Sequence, residues 1–322
     1  MRKSLYRLAL AGVLMAIAPA AQAAEFPSQP IKLVVPYPAG GSTDVSARLI
    51  ADKLSQVMDN PVIVENKPGG ATIVGTMSVV SAKPDGYTLL YAGPGTILTP
   101  LLQTAPFDIE KDLKPVSLTA TSSLVIVVKD DYEAQTLADL VEEAKANPGA
   151  IDIGIPGLGS SNHMALEMFK RTADIDVQLV PFQGNAPQLT ALVGGVISVA
   201  FDSLLTSAPF IKSGDIRPLA VTGVERSKFF PDVPTVAEQG YPEYQSTYWN
   251  GIYAPAATPD DIVTKLSKAF DKVVNDETTK AKLLEMSFES VGGAPSIMDD
   301  FATSEKDLWS KFITDNKITM KQ

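Results

Sequence analysis

Short apolar runs alternate with amphipathic segments along the first half of the chain. The run Ile31–Val35 predicts a buried strand, and apolar positions at helical spacing then predict a helix over residues 43–58. The same alternation predicts strands at 61–65 and 87–92 with a helix at 72–81 between them. This order of strands and helices favours a mainly parallel sheet with helices on both faces.

A second alternating unit follows an extended segment at 118–129. Its predicted elements are a helix at 137–146, a strand at 151–155, a helix through 164–169, a strand at 177–182, a helix at 188–193 and strands at 198–203 and 216–221. Residues 260–316 are then predicted to be largely helical and to pack back on the beginning of the chain. We therefore expect a discontinuous first lobe made of 24–122 and 250–322, and a second lobe at 123–249.

The first predicted strand ends in a glycine-rich loop that leads into a helix. Pro38, Gly40 and Gly41 break the strand, and residues 42–44 supply side chains that can cap the helix. Glycines let a ligand approach the backbone, and the first N–H groups of a helix have no internal partner. The loop is therefore a candidate anion site, although a simple tight turn between strand and helix remains the alternative.

Two further loops resemble the first. Residues 157–162 repeat the order of strand, Gly/Ser loop and helix, and residues 93–96 form a predicted glycine loop after the third strand. In open α/β sheets, ligands bind beyond the carboxyl ends of the strands, where these loops lie. The pattern indicates a ligand cleft with contributions from both halves of the chain.

The first residues predict an export signal. Three basic residues precede a short apolar stretch at 8–18, which is followed by small residues of the A-x-A type. We expect cleavage after Ala23, so that residues 1–23 form a signal peptide and the mature chain is a soluble periplasmic protein. A retained membrane helix is the alternative, but the apolar stretch is short for a membrane span.

Composition excludes several classes of function. The 322-residue chain has no cysteine and one histidine, so it offers no thiol nucleophile, disulfide framework or Cys-ligated metal site. It carries 27 basic and 37 acidic residues, and loss of the three basic residues of the signal peptide leaves a net charge of −13. This charge argues against nucleic acid and anionic lipid as partners. We expect neither a metal nor a cofactor.

Several segments together resemble one known family over essentially the whole mature chain. They are Pro30–Asp44, Val64–Gly69, Pro84–Leu89, Phe201–Ser203, Pro231–Glu238, Tyr253–Pro255 and Thr258–Pro259. Their joint order and spacing resemble the Bug-type extracytoplasmic solute receptors of tripartite tricarboxylate transporter systems. The resemblance implies a type II periplasmic-binding-protein fold, in which two α/β lobes flank a ligand cleft and are joined by two crossing segments.

The resemblance also implies a function. Members capture small organic acids, often di- or tricarboxylates or aromatic acids, largely with backbone N–H groups and bridging waters. They are not enzymes, and they deliver the ligand to a membrane permease by hinge closure. We expect this chain to act in the same way as a monomer, with the permease subunits as partners.

Position by position, the resemblance implies a set of ligand-binding residues from both lobes. The first lobe would contribute Tyr37, Pro38, Ala39, Gly40, Gly41, Ser42, Asp44, Gly95 and Thr96. The second lobe would contribute Gly159, Ser160, Ser161, Gly184, Asn185, Ala186 and Asp202, with Asp202 at the cleft floor. Phe182-Gln183-Gly184 stands where many relatives carry Tyr-Lys-Gly, so a cationic contact is missing.

Some of these residues also have plain structural interpretations. Asp44 would equally serve as a favourable charge at a helix N-terminus. His163 is expected to cap or pack rather than to act as a base, and Tyr248 and Trp249 are expected to pack at the hinge.

Two other functions stay open from the residues alone. A secreted α/β hydrolase would need a G-x-S-x-G elbow, and the nearest run, 157–162, lacks the final glycine. A sensory receptor that signals to a membrane kinase would bind the same ligand, and the sequence does not distinguish it from a transport receptor.

Overall fold

The computed structural model describes residues 26–318, so the expected cleavage site after Ala23 lies outside them. The strands are β1 (Ile31–Val35), β2 (Val62–Asn66), β3 (Thr88–Ala92), β4 (Leu113–Lys129), β5 (Asp152–Ile155), β6 (Gln178–Pro181), β7 (Val199–Ser203), β8 (Ile216–Val221), β9 (Thr247–Pro255) and β10 (Glu289–Ser290). The helices are α1 (Ser42–Met58), α2 (Ile73–Val80), α3 (Pro94–Leu102), α4 (Ile109–Asp112), α5 (Leu137–Ala146), α6 (Ser161–Ala173), α7 (Asn185–Val193), α8 (Leu204–Ser213), α9 (Asp260–Val274), α10 (Glu277–Glu285) and α11 (Pro295–Asp315).

The strands follow the order β2-β1-β3-β9-β4-β7-β5-β6, and β8 and β10 both pair with β4. Strand β1 pairs in parallel with β2 and β3, and β5 pairs in parallel with β6 and β7. Strands β4 and β9 run antiparallel to their neighbours. The mixed α/β architecture predicted from the alternation is therefore confirmed, with two parallel groups of strands on either side of an antiparallel pair.

Strand β4 connects the two groups. Its residues 113–123 pair with β9, and its residues 124–128 pair with β7. Strand β9 returns from the second group and pairs with β3, so the first group is built from two separate stretches of chain. This is the discontinuous arrangement that the sequence predicted, while the exact lobe boundaries at 122/123 and 249/250 stay a prediction.

Each group of strands has its own apolar core. Helices α1 and α9 cover β1 and β3 through Ile50, Leu54, Leu266 and Phe270, all fully buried. Helices α5 and α6 cover β5 and β7 in a second cluster, which the late helix α11 enters through Trp309 and Ile313. The end of the chain therefore packs on both groups.

Several element predictions were wrong in detail. The glycine loop expected at 93–96 is the first turn of α3, since Pro94 occupies the first helical position, where a missing N–H is tolerated. Helix α7 begins at Asn185 rather than 188, and β4 begins at Leu113 rather than 118. Helix α8 and the two-residue β10 were not predicted.

In residues 26–318, no helix combines the length and apolar character needed to cross a membrane.

Candidate ligand-binding site

The loop between β1 and α1 is shaped by Asp44. Gly40 has a positive φ of 85°, which favours glycine, and its N–H donates to Asp44 Oδ2 at 2.8 Å. Asn66 Nδ2 donates to Asp44 Oδ1 at 2.9 Å, and Arg48 forms an ion pair with the same carboxylate at 2.9 Å. Asp44 is buried, and its side chain faces the loop that it holds.

The partners of Asp44 keep it ionised. Burial alone would raise the pKa of this carboxyl, but Arg48, the Gly40 N–H and Asn66 together hold the pKa below its usual value. Asp44 therefore lies in the first turn of α1 as a charged carboxylate, which is the position required by its expected alternative role as a charge at the helix N-terminus.

The first turn of α1 is fixed by buried polar side chains below it. Thr43 Oγ1 lies 2.5 Å from the hydroxyl of Tyr248, and Ser46 Oγ donates to Asn250 Oδ1 at 2.9 Å. Both partners belong to β9, one of the strands that connects the two groups. The N-terminus of α1 is thereby tied to the connecting strand.

Tyr37 closes the side of this loop against α3. Its hydroxyl lies by the backbone of Gly95 and the side chain of Thr96, and a Cβ at Gly95 would approach that hydroxyl to 2.9 Å. Burial raises the pKa of Tyr37, and the neighbouring Tyr248 adds to the rise. Tyr37 therefore stays protonated, and Gly95 is small because Tyr37 packs there.

The facing loop, between β5 and α6, is organised by its own side chains. Ser160 Oγ donates to the Gly157 carbonyl at 2.7 Å and accepts from the His163 N–H at 3.2 Å, which caps α6. Gly159 N–H donates to His163 Nδ1 at 3.1 Å. Burial lowers the pKa of His163, so the imidazole is the neutral acceptor that this contact requires. The capping role expected for His163 is confirmed.

Contacts between loops join the helix N-termini of the second group. Gly184 N–H donates to the Pro156 carbonyl at 2.8 Å, which links the β6–α7 loop to the β5–α6 loop. Asn162 Nδ2 donates to the Phe201 carbonyl at 3.1 Å, which fixes the first turn of α6 to β7. Asp202, next along β7, accepts a hydrogen bond from Asn185 at the start of α7.

One hydroxyl pair connects the two groups of loops. Ser42 Oγ, in the first residue of α1, lies 2.8 Å from Ser203 Oγ, in the N-cap residue of α8. The two residues are 161 positions apart in the chain, and both are buried. The N-terminal ends of α1 and α8 therefore meet at this contact. The N-terminus of α7 is joined to the same region of β7 through Asn185 and Asp202, and that of α6 through Asn162 and Phe201.

The N-termini of α1, α6 and α7 offer neutral hydrogen-bond donors. Within residues 26–318, the N–H groups of Ser42, Thr43, Ser161 and Asn185 have no hydrogen-bond partner. Such first-turn N–H groups, together with the positive ends of the helix dipoles, favour an anion. A Cβ at Gly184 would meet no atom within 4 Å, so the backbone there borders open space.

Most of the predicted residues come together at these helix ends. The predicted loops 37–44, 159–161 and 184–186 are joined through the contacts described above, while Gly95 and Thr96 lie behind Tyr37. Whether each residue touches ligand stays a prediction. Ser203, which contacts the first group of strands, was not among the predicted residues, although it directly follows the predicted Asp202 at the end of a strand.

The described residues contain no cluster of three or more His, Asp or Glu side chains suited to a metal ion. Ser160 and Ser161 do not hydrogen-bond to the His163 ring. No serine–histidine pair of a hydrolase is formed there.

Comparison with known proteins gives consistent matches. Over residues 46–318 the chain matches the family described as TctC, the tripartite tricarboxylate transporter family receptor. Protein BugT of Bordetella pertussis is 30% identical over 320 residues, which cover 98% of each protein.

Solved structures agree with this match. Rpa4515 of R. palustris, with adipate, has a TM-score of 0.85 and 32% identity, and the match covers 91% of this chain and 99% of that one. MatC from Rhodopseudomonas palustris, with bound malate, has a TM-score of 0.80 and 26% identity, with 89% and 99% covered. These likenesses confirm the predicted periplasmic-binding-protein fold.

Proposed function

Because the chain belongs to the tripartite tricarboxylate transporter receptors, a family of solute-binding proteins and not of enzymes, we propose that its ligand is a small organic carboxylate. Rpa4515 and MatC, which it resembles, hold adipate and malate. A di- or tricarboxylate is the leading ligand class, with an aromatic acid as the next. The protein would collect this acid in the periplasm.

The contact between Ser42 and Ser203 carries the proposal. It brings the N-terminus of α1 from one group of strands against the N-terminus of α8 from the other. Two positive helix ends repel each other, so an anion between them is favourable to both. A carboxylate accepts several N–H groups at once, and such hydrogen bonds are strong without a buried cation.

Transport would follow from a change in the angle between the lobes. A ligand that bridges loops of both lobes stabilises the closed form over the open one. The membrane components of the tripartite transporter would then recognise the closed form and accept the acid. Strands β4 and β9, which connect the two groups of strands, are the natural hinge.

Calorimetry tests the ligand class directly. The mature chain is titrated with malate, adipate, succinate, citrate and benzoate, and thermal unfolding is measured with each. At least one acid is expected to bind and to raise the melting temperature. If none of the five binds, the carboxylate proposal is rejected.

Gly41→Val tests the site. Gly41 has an ordinary φ of −79°, and a Cβ there would meet only the Pro38 carbonyl oxygen, at 3.8 Å. The valine should therefore fold normally while its methyl groups occupy space at the first turn of α1, so binding should fall at least about tenfold. Ala138→Val on the exposed face of α5 is the matched control, with unchanged affinity. Unchanged affinity in Gly41→Val, with native far-UV circular dichroism, would remove this loop from the site.

A further inference from the structure

We propose that Asp202 is a positioning residue, which fixes the N-termini of α7 and α8 for the ligand without touching it. The proposal rests on the proposed function, since it concerns the same site. It differs from the sequence-based expectation that Asp202 fixes waters or takes a hydroxyl or ammonium group of the ligand.

Asp202 is placed where three elements meet. It is the penultimate residue of β7, a strand held between β4 and β5, and its side chain is fully buried. Asn185 is the first residue of α7, and Thr206 and Ser207 lie in the first turn of α8. A side chain at this position can join both helix ends to the sheet.

The carboxylate of Asp202 accepts hydrogen bonds from these neighbours. Oδ1 accepts from Asn185 Nδ2, and Oδ2 accepts from Thr206 Oγ1 at 2.8 Å and from Ser207 Oγ at 2.6 Å. The nearby backbone N–H of Ser203 also favours the charged form of the carboxyl. A carboxylate offers about four acceptor positions, so the three side-chain donors already occupy most of them.

A charge contact with the ligand is also unfavourable on electrostatic grounds. Burial raises the pKa of Asp202, and the donors Ser207, Asn185 and Thr206 offset part of that rise. A negative charge at this depth repels an anionic ligand, so Asp202 does not assist a carboxylate through its charge. Asp202 instead contributes to binding by positioning, because its short hydrogen bonds hold Asn185 and the first turn of α8 in fixed positions.

An asparagine can preserve this geometry. Its Oδ1 can still accept from Asn185, and its amide group can donate to the hydroxyls of Thr206 and Ser207, which rotate to accept. Alanine removes all of these bonds. The pair Asp202→Asn and Asp202→Ala therefore separates the geometry of Asp202 from its charge.

The binding experiment titrates malate and adipate into native protein and both variants. Asp202→Ala should weaken binding roughly tenfold to a hundredfold, since hydrogen bonds to charged groups contribute on that scale. Asp202→Asn should restore most of that loss. If Asp202→Asn binds as weakly as Asp202→Ala, Asp202 acts through its charge or a ligand contact and the proposal is overturned.

A double-mutant cycle with Asn185 sharpens the result. If Asp202 acts through Asn185, the losses in Asp202→Ala and Asn185→Ala should overlap, so that the double variant is little worse than either one. Independent ligand contacts would instead give additive losses, which would contradict the proposal. Ser207→Ala, which removes one donor and keeps the carboxylate, serves if Asp202→Ala does not fold, and a smaller loss of affinity is expected.

Hydrogen exchange of the ligand-free protein tests the positioning role of Asp202 independently of the ligand class. Amides at the starts of α7 and α8 should exchange faster in Asp202→Ala than in native protein and Asp202→Asn. Unchanged exchange in Asp202→Ala would show that Asp202 fixes neither helix. If native protein binds neither acid but the exchange pattern is as expected, the ligand class is wrong and the structural role of Asp202 stands.

Discussion

Glu305 is a buried carboxyl beside Trp309 and Trp249, and it makes native stability depend on pH. It lies on α11 and is 7% exposed. Trp309, one turn later, donates its Nε1–H to Oε2 at 3.2 Å and belongs to the core of the second group of strands. Trp249 on β9 belongs to an apolar cluster of the first group of strands. Its indole N–H forms no hydrogen bond, but it lies close enough to favour the charged form of Glu305.

The size of this pH effect on the free energy of unfolding follows from the protonation of Glu305. Burial raises its pKa from 4.5 to about 7, while the two indoles oppose the rise. Between these values the folded protein holds a proton that the unfolded chain has released, so the free energy of unfolding falls as the pH rises. The contribution is complete below pH 4.5, falls by about 3 kcal/mol up to about pH 7, and is constant above it.

Glu305→Gln removes this titration while keeping a similar shape. Urea unfolding at several pH values should show that the variant gains about 3 kcal/mol relative to the native protein between about pH 4.5 and pH 8. Since Trp249 and Trp309 are the two tryptophans of the chain, native emission should titrate near pH 7 and the emission of the variant should not. Glu142→Gln, on the exposed face of α5, is the control. A stability difference that does not change with pH would refute the argument.

Two more predictions concern the loops of the site. Ser42→Ala and Ser203→Ala should each leave a buried hydroxyl without its partner, and the double variant should show a coupling energy of about 1 kcal/mol in urea unfolding; additive losses would mean that the contact contributes nothing in solution. Asp44 has a lowered pKa, so its stabilisation is present above its ordinary pKa and lost as the pH falls through the lower folded value. The melting temperature of native protein should therefore exceed that of Asp44→Asn at neutral pH and approach it under acid, and a difference independent of pH would contradict this.

Local signals in the sequence predicted many elements well. The helix at 137–146 was predicted with its observed bounds, because Thr136 and Asp139 form a capping box at its start. The strands at 31–35 and 216–221, which are short and mostly apolar segments, were also predicted with their observed bounds. Family membership, predicted from the order of several motifs, is confirmed.

The wrong element predictions arise where packing against distant parts of the chain decides which element forms. Gly93-Pro94-Gly95 has the composition of a turn, yet α3 forms there and packs against α11, which lies about two hundred residues further along the chain. Helix α8 was missed because Pro209 lies in its interior, where proline disfavours a helix. Local propensity carries no information about such partners.

Side-chain roles were harder to predict than positions. The sequence places Asp44 and Asp202 at the ends of loops that suit a ligand, but it does not show which way their oxygens point. In the structure both carboxylates accept hydrogen bonds from their own surroundings, Asp44 from Gly40 and Asn66 and Asp202 from the starts of α7 and α8. An acidic side chain is well suited to this task, because it accepts several donors at once and forms strong hydrogen bonds with them. The same property makes it a poor direct contact for an anion, which supports the proposal that nearby backbone N–H groups, and not these two carboxylates, bind the ligand.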